Sequence, residues 1–248
     1  MKIASISDLH IKSQEDEASK ILMRFFRHNH TVSADAIFLL GDIFDLMVGP
    51  HATYEKQFSE FFLECEKIIK RGQKLYFIEG NHDVHIRKLF FRYFSARNID
   101  YKDRFFIFQS PIELKSKNFK YLFSHGDEYD FENTNYQNYK NFIYKPFMRF
   151  IGENVVPYHL INFLGTRASK ISRKAGKKNF DKEKVRLKIR NGVEKIITGK
   201  FHFIVGGHSH VLDEYKTSHN SIYINNGFPL LDKKFILIED EKYQFIDL

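Results

Sequence analysis

Five short clusters gather Asp, Asn and His at close spacing: Asp8-Leu9-His10, Gly41-Asp42-Ile43-Phe44-Asp45, Gly80-Asn81-His82-Asp83, His125-Gly126-Asp127 and Gly206-Gly207-His208-Ser209-His210. They hold five of the twelve histidines. Carboxylate, imidazole and amide oxygen together suit a borderline divalent cation such as manganese, iron or zinc. An i, i+2 pair leaving a strand points two side chains the same way, as Asp8 with His10 and His208 with His210 would. The neighbouring glycines permit tight turns and a close approach by phosphate. Any one cluster is common on protein surfaces; five in series, each directly after a strand-like run, are not.

Those runs are residues 2–7, 36–40, 75–79, 121–124 and 203–206. Amphipathic stretches at 15–29, 54–70 and 86–96 predict helices between the first strands, the earliest opened by a Ser13-x-x-Asp16 cap. The alternation describes a layered α/β fold whose ligands bind beyond the carboxyl ends of parallel strands. Residues 221–248 turn β-like again and predict antiparallel strands that finish a sheet. Residues 133–200 break the rhythm and read as a helical insertion. Its first half is aromatic and apolar, including Phe142, Phe147, Phe150, Tyr158 and Phe163; from 166 to 200, thirteen Lys or Arg face three acids, a local charge of +10.

That segment exceeds the +8 of the whole chain, so the basicity belongs to the insertion and points to an anionic partner there. A composition of 43% hydrophobic and 28% charged residues excludes global disorder. The single cysteine, Cys65, excludes a disulfide framework and reads as a packed thiol in a reducing compartment. The start MKIASISDLH lacks a secretory apolar core, and no run approaches the ~20 apolar residues of a spanning helix, so a cytoplasmic protein is expected. His28, His30, His51, His159, His202 and His219 read as surface or packing residues.

The ordered set Asp-x-His, Gly-Asp-x-x-Asp, Gly-Asn-His-Asp, His-Gly, Gly-His-x-His resembles the calcineurin-like metallophosphoesterase superfamily. The resemblance implies a four-layer α/β/β/α sandwich with a helical lid insertion, its catalytic core at 1–132 and 201–248 and its lid at 133–200. It also implies two divalent ions, manganese before iron or zinc. Asp8, His10 and His210 would hold one, Asn81, His125 and His208 the other, and Asp42 would bridge them, with a shared hydroxide as nucleophile. His82 would face the phosphate, Asp83 would orient its ring, and Asp45 would support Asp42 or a ligand histidine.

The insertion, apolar first and then reading Gly-Thr-Arg-Ala-Ser-Lys-Ile-Ser-Arg-Lys at 165–174, is similar to the lid of the UDP-2,3-diacylglucosamine diphosphatases. That likeness implies cleavage of a UDP-sugar lipid to UMP and a lipid monophosphate in lipid A synthesis, by an enzyme resting on the cytoplasmic face of the inner membrane. Asn81, His82, Arg87, Asp130, Ser172, Arg173, Lys177 and His208 become candidate substrate contacts. His82 departs from that branch, where arginine is common at the position, and leaves room for a broader phosphodiesterase. A nuclease is the alternative, but base-stacking aromatics are scarce in 166–200, where only Phe180 qualifies. A non-enzymatic scaffold is disfavoured because every candidate ligand is retained.

Overall fold

A computed structural model describes residues 1–163, 165, 180–196 and 200–248. In chain order its elements begin β1 (Lys2–Ile6), α1 (Glu17–Arg27), α2 (Asn29–Val32), β2 (Ala36–Leu39), β3 (Met47–Val48), α3 (Thr53–Gln57), α4 (Ser59–Lys70) and β4 (Lys74–Ile78). Next come β5 (Asp83–Val84), α5 (Arg87–Ala96), β6 (Phe105–Phe108), β7 (Ile112–Ser116), β8 (Phe119–Phe123), α6 (Thr134–Ile143), α7 (Pro146–Asn154) and α8 (Lys182–Ile196). The chain closes with β9 (Phe203–Gly206), β10 (Leu212–Lys216), β11 (Ile222–Asn226), α9 (Pro229–Asp232), β12 (Lys234–Glu239) and β13 (Lys242–Asp247).

Two sheets form the centre. The first runs β13-β12-β1-β2-β4-β6, with β1, β2, β4 and β6 mutually parallel; the second runs β10-β11-β9-β8-β7, with β8, β9 and β11 parallel. The inner strands are apolar on both faces because both faces are covered. Alternation sorts them: Ile3, Ala36, Phe38, Tyr76 and Ile78 join Tyr121, Phe123, Phe203, Val205 and Ile224 in a core between the sheets. Phe38 stacks there on Tyr76 and Phe123, with ring centroids 4.4 and 3.8 Å apart. Ala4, Ile6, Ile37, Leu39, Leu75 and Phe77 point the other way, onto α1, α4 and α5. Leu122, Ile204 and Tyr223 point outward from the second sheet and meet Ile189 and Val193 of α8.

The layers are therefore α/β/β/α, and the fourth is supplied by α8. Residues 133–200, read as one insertion, thus include a helix that covers the second sheet. Its basic residues are partly neutralised by acids of the frame: Arg190 pairs with Asp213 at 2.5 Å, Arg186 with Asp213 at 3.2 Å, and Lys188 with Asp130. Gly192 lets this helix approach closely, because a Cβ there would collide with the Tyr129 carbonyl.

Helix α1 starts two residues later than its apolar pattern suggests. Asp16 is its N-cap and accepts the Ser19 N–H at 2.8 Å, while its second oxygen accepts the amides of Lys12 and Ser13. Ser13 is thus a partner of the cap and Asp16 is the cap itself. Cys65 is fully buried in α4, and burial pushes its thiol well up, as a packed thiol requires. Among the described residues no helix is long and apolar enough to cross a membrane.

Candidate metal centre

All five clusters lie at the carboxyl ends of β1, β2, β4, β8 and β9, along one rim of the sandwich. The turns there are held in uncommon backbone. Asp8, His10, Asp42, His208 and His210 have φ of 55, 52, 52, 66 and 55°, the left-handed region that non-glycine residues rarely occupy. Such strain concentrates where side chains must be aimed. Glycine is required at two adjoining positions: a Cβ on Gly80 would strike the Asp42 carboxylate, and one on Gly207 the Asp8 carboxylate.

Asp8, His10 and His210 bring one donor atom each into a common cluster, and so do Asp8, Asp42 and His125. His210 Nε2 lies 3.3 Å from Asp8 Oδ1, and His10 Nε2 lies 3.0 Å from His210 Nε2. Asp42 Oδ2 stands between the sets, 3.8 Å from His10 Nε2 and 3.7 Å from His125 Nε2. Asn81 Oδ1 is 3.3 Å from His125 Nε2, and the His208 ring meets the His125 ring edge-on at 5.1 Å. A further cluster, unforeseen in the sequence, joins His10 and His82 to Asp45.

Outer contacts fix these ligands. His125 Nδ1 reaches the Leu40 carbonyl at 2.8 Å, which leaves Nε2 facing the cluster. The His208 amide donates to both Asp8 oxygens, at 3.0 and 2.9 Å, and Ser7 Oγ donates to one of them. Burial pushes His10 and His208 down to about 4, so both are neutral imidazoles at neutral pH, the form that coordinates a cation. Burial alone would raise Asp42, but His125, His82 and His10 around it hold its carboxyl well below the usual range. Burial alone would lower His125 and His210 too, but Asp42 holds His125 up to about 9 and Asp8 holds His210 above its usual value, so these two must release a proton to bind a cation. Imidazoles, ionised carboxylates and an amide oxygen, buried together, fit a pair of divalent cations.

The role expected for Asp83 changes. Asp83 does not orient the His82 ring: its carboxylate accepts the backbone N–H groups of Gly80 at 2.8 Å, Asp42 at 3.1 Å and Ile43 at 2.8 Å. It braces the turns that carry Asp42 and Asn81, because buried amides of those turns have no ladder partner. The His82 ring is held by the Asp45 carbonyl, 2.8 Å from Nδ1, and lies edge-on to His10 at 4.8 Å. Arg87 donates to the Ile107 carbonyl at 2.7 Å and stands outside the donor clusters, as does Asp130, whose carboxylate pairs with Lys188. Ser172, Arg173 and Lys177 lie outside the described residues.

The sequence reading gave Asp127 no role, yet it is where α6 meets the site. Its carboxylate accepts Tyr136 Oη and pairs with Lys140 Nζ, each at 2.6 Å, and the Tyr136 ring lies 5.6 Å from that of His208. The signal was present as a Tyr and a Lys four apart on one helical face.

A parallel-strand sandwich that gathers imidazoles and carboxylates at one rim has the build of a metal-dependent hydrolase. Residues 1–212 match the family model of the calcineurin-like phosphoesterases, and the chain belongs to that family. Members use divalent cations, in agreement with the donor set. The chain is similar to the UDP-2,3-diacylglucosamine hydrolase of Aliivibrio fischeri (strain MJ11), 24% identical over 213 residues and 82% of either chain. The hydrolase of the same name from Psychromonas ingrahamii is 24% identical over 209 residues, 82% of this chain and 81% of its own. That of Neisseria meningitidis serogroup B is 30% identical over 141 residues, which span 56% of this chain and about half, 54%, of the relative.

Proposed function

We propose that this hydrolase cleaves the pyrophosphate bond of UDP-2,3-diacylglucosamine, giving UMP and 2,3-diacylglucosamine 1-phosphate, with two divalent cations of which manganese is the first choice. The observation that carries the reading is Asp42 Oδ2, set 3.8 Å from His10 Nε2 and 3.7 Å from His125 Nε2, at the junction of two donor sets. Two cations bound there supply a water of lowered pKa and neutralise charge developing on phosphorus. Asp8, His10 and His210 would hold one of them, Asn81, His125 and His208 the other, and Asp42 would serve both.

His82 does the proton and charge work. Its amide is fixed by Asp42 Oδ1 at 2.9 Å and its Nδ1 by the Asp45 carbonyl, so Nε2 is the edge left to stabilise phosphate or protonate the leaving oxygen. Asp83 acts by keeping Asp42 and Gly80 in register.

Substrate choice falls to the lid. Phe142, Phe147, Phe150, Val155, Leu160 and Phe163 are all exposed, apolar side chains of a kind that acyl chains can cover, worth ~0.8 kcal/mol for each CH₂ buried. Ser172, Arg173 and Lys177 serve the two phosphates in this reading. The same exposed aromatics, with Lys145 beside them, suit peripheral association with the cytoplasmic face of the inner membrane, where each Lys or Arg near the surface contributes about 1 kcal/mol. A polynucleotide substrate is disfavoured because Arg186, Lys188 and Arg190 are engaged by Asp213 and Asp130.

The test is to offer manganese-loaded protein UDP-2,3-diacylglucosamine, UDP-N-acetylglucosamine, bis(p-nitrophenyl) phosphate and single-stranded DNA. UMP released from the acylated sugar, and not from its unacylated counterpart, is the expected result. Cleavage of DNA or of the small diester alone overturns the reading.

A further inference from the structure

Helix α6 is fastened at both ends to loops that carry candidate metal ligands. Its first turns bind the loop after β8 through Asp127, whose oxygens take Tyr136 and Lys140 and whose carbonyl takes Gln137 Nε2 at 2.8 Å. Its last residues bind the loop after β4. His85 Nε2 lies 3.1 Å from the Ile143 carbonyl, and Tyr144 packs edge-on against the His85 ring at 5.7 Å with its hydroxyl 3.4 Å from the Gly80 carbonyl.

His85 is unusual in three respects. It is 2% exposed, though none of the five ligand clusters contains it. Its φ of 60° places it in the left-handed region with the candidate ligands, while the other non-glycine residues there, Asn98, Lys117, Asn220, Lys233 and Asp240, occupy hairpin turns or helix ends. Its ring also meets α7, where Gly152 makes room: a Cβ at that position would stand 3.1 Å from the imidazole. The segment between β4 and α5 thus presents His82, before β5, to the metal side and His85, after β5, to the lid. Close by, Lys88 pairs with Glu153 of α7 at 2.8 Å, and Gly49 sits so near Gly152 that a Cβ would meet its carbonyl at 2.5 Å.

We infer that His85 is a positioning residue, which seats the end of α6 and the face of α7 on the loop presenting Asn81 and His82, so that the lid is held in register with the metal centre. Because the lid, in the function proposed above, grips a large lipid-linked substrate, discrimination between that substrate and a small diester depends on His85. The inference rests on that reading for its substrate, but not for the seating itself.

The test compares His85→Asn with His85→Gln. Asparagine tolerates positive φ but is too short to reach the Ile143 carbonyl; glutamine restores a donor at the distance of Nε2. In His85→Asn, KM for UDP-2,3-diacylglucosamine should rise tenfold or more, kcat for bis(p-nitrophenyl) phosphate should stay within twofold, and two metal equivalents should remain. Tryptic cleavage after Lys140 and Arg149 should quicken at least tenfold, with His85→Gln returning both readouts toward wild type. Equal losses on both substrates, loss of metal, or unchanged proteolysis with unchanged KM would overturn the inference. If the wild-type protein does not cleave the acylated sugar, the functional reading fails, and the proteolysis comparison alone decides the role of His85.

Discussion

The Asp83 carboxylate accepts the backbone N–H of Asp42 at 3.1 Å, so the residue that ends one motif holds the turn that begins another. The same carboxylate also takes the amides of Gly80 and Ile43, and it is buried. Replacing one oxygen with an amide turns a donor toward donors. Asp83→Asn is therefore expected to destabilise the protein by about 1–3 kcal/mol, the cost of leaving a buried polar group unpaired. Thermal denaturation of the metal-free protein checks this, and an unchanged melting temperature would contradict the bracing role.

Asp42 Oδ2 faces His10 on one side and His125 on the other, at 3.8 and 3.7 Å. A residue shared in this way should cost both ions at once when removed. Asp42→Ala is expected to abolish turnover and to lower bound metal below one equivalent per chain, measured by elemental analysis after desalting. His210→Ala, which touches only the Asp8 side, should retain about one. Two retained equivalents in Asp42→Ala would rule out the shared position.

His82 is open to two outcomes. Its ring is tied to the Asp45 carbonyl, yet His82, Asp45 and His10 could also jointly face a cation. If His82 acts on the phosphate, His82→Ala keeps both metals and loses about 10²–10⁴-fold in kcat, the usual worth of a positioned proton donor. Loss of one metal equivalent would instead make it a ligand.

Strand positions and the donor clusters were legible because both depend on local pattern. Residues 2–6, 36–39 and 74–78 are short apolar runs closed by polar residues, and a ligand at the end of a strand needs only its own sequence neighbours. Roles that depend on distant chain were not legible. Asp83 sits beside His82 in sequence but serves amides about forty residues away, and no spacing rule reports that. Nothing local marks His85, since its partner carbonyl belongs to Ile143, 58 residues away. The charge of 166–200 gave no hint that α8 spends three of its cations on Asp213 and Asp130, because those acids lie on other elements.

Helix α8 separates the insertion into a part that the frame needs and a part that it does not. Gly192 lies against Tyr129, with no room for a Cβ beside the Tyr129 carbonyl, and Val193 next to it is fully buried against the second sheet. Backbone cannot yield as a flexible side chain can, so Gly192→Ala forces the helix outward and opens the fourth layer. Overpacking of this kind costs about 1–3 kcal/mol, which exceeds the gain of up to ~1 kcal/mol that alanine brings to a helix. Phe147 on α7, by contrast, is 71% exposed, and Phe147→Ser removes little that the fold uses. A fall in the cooperative melting temperature for Gly192→Ala with none for Phe147→Ser is expected, and Phe147→Ser should weaken binding to vesicles containing anionic lipid. Equal melting temperatures for Gly192→Ala and wild type would place α8 with the lid rather than with the frame.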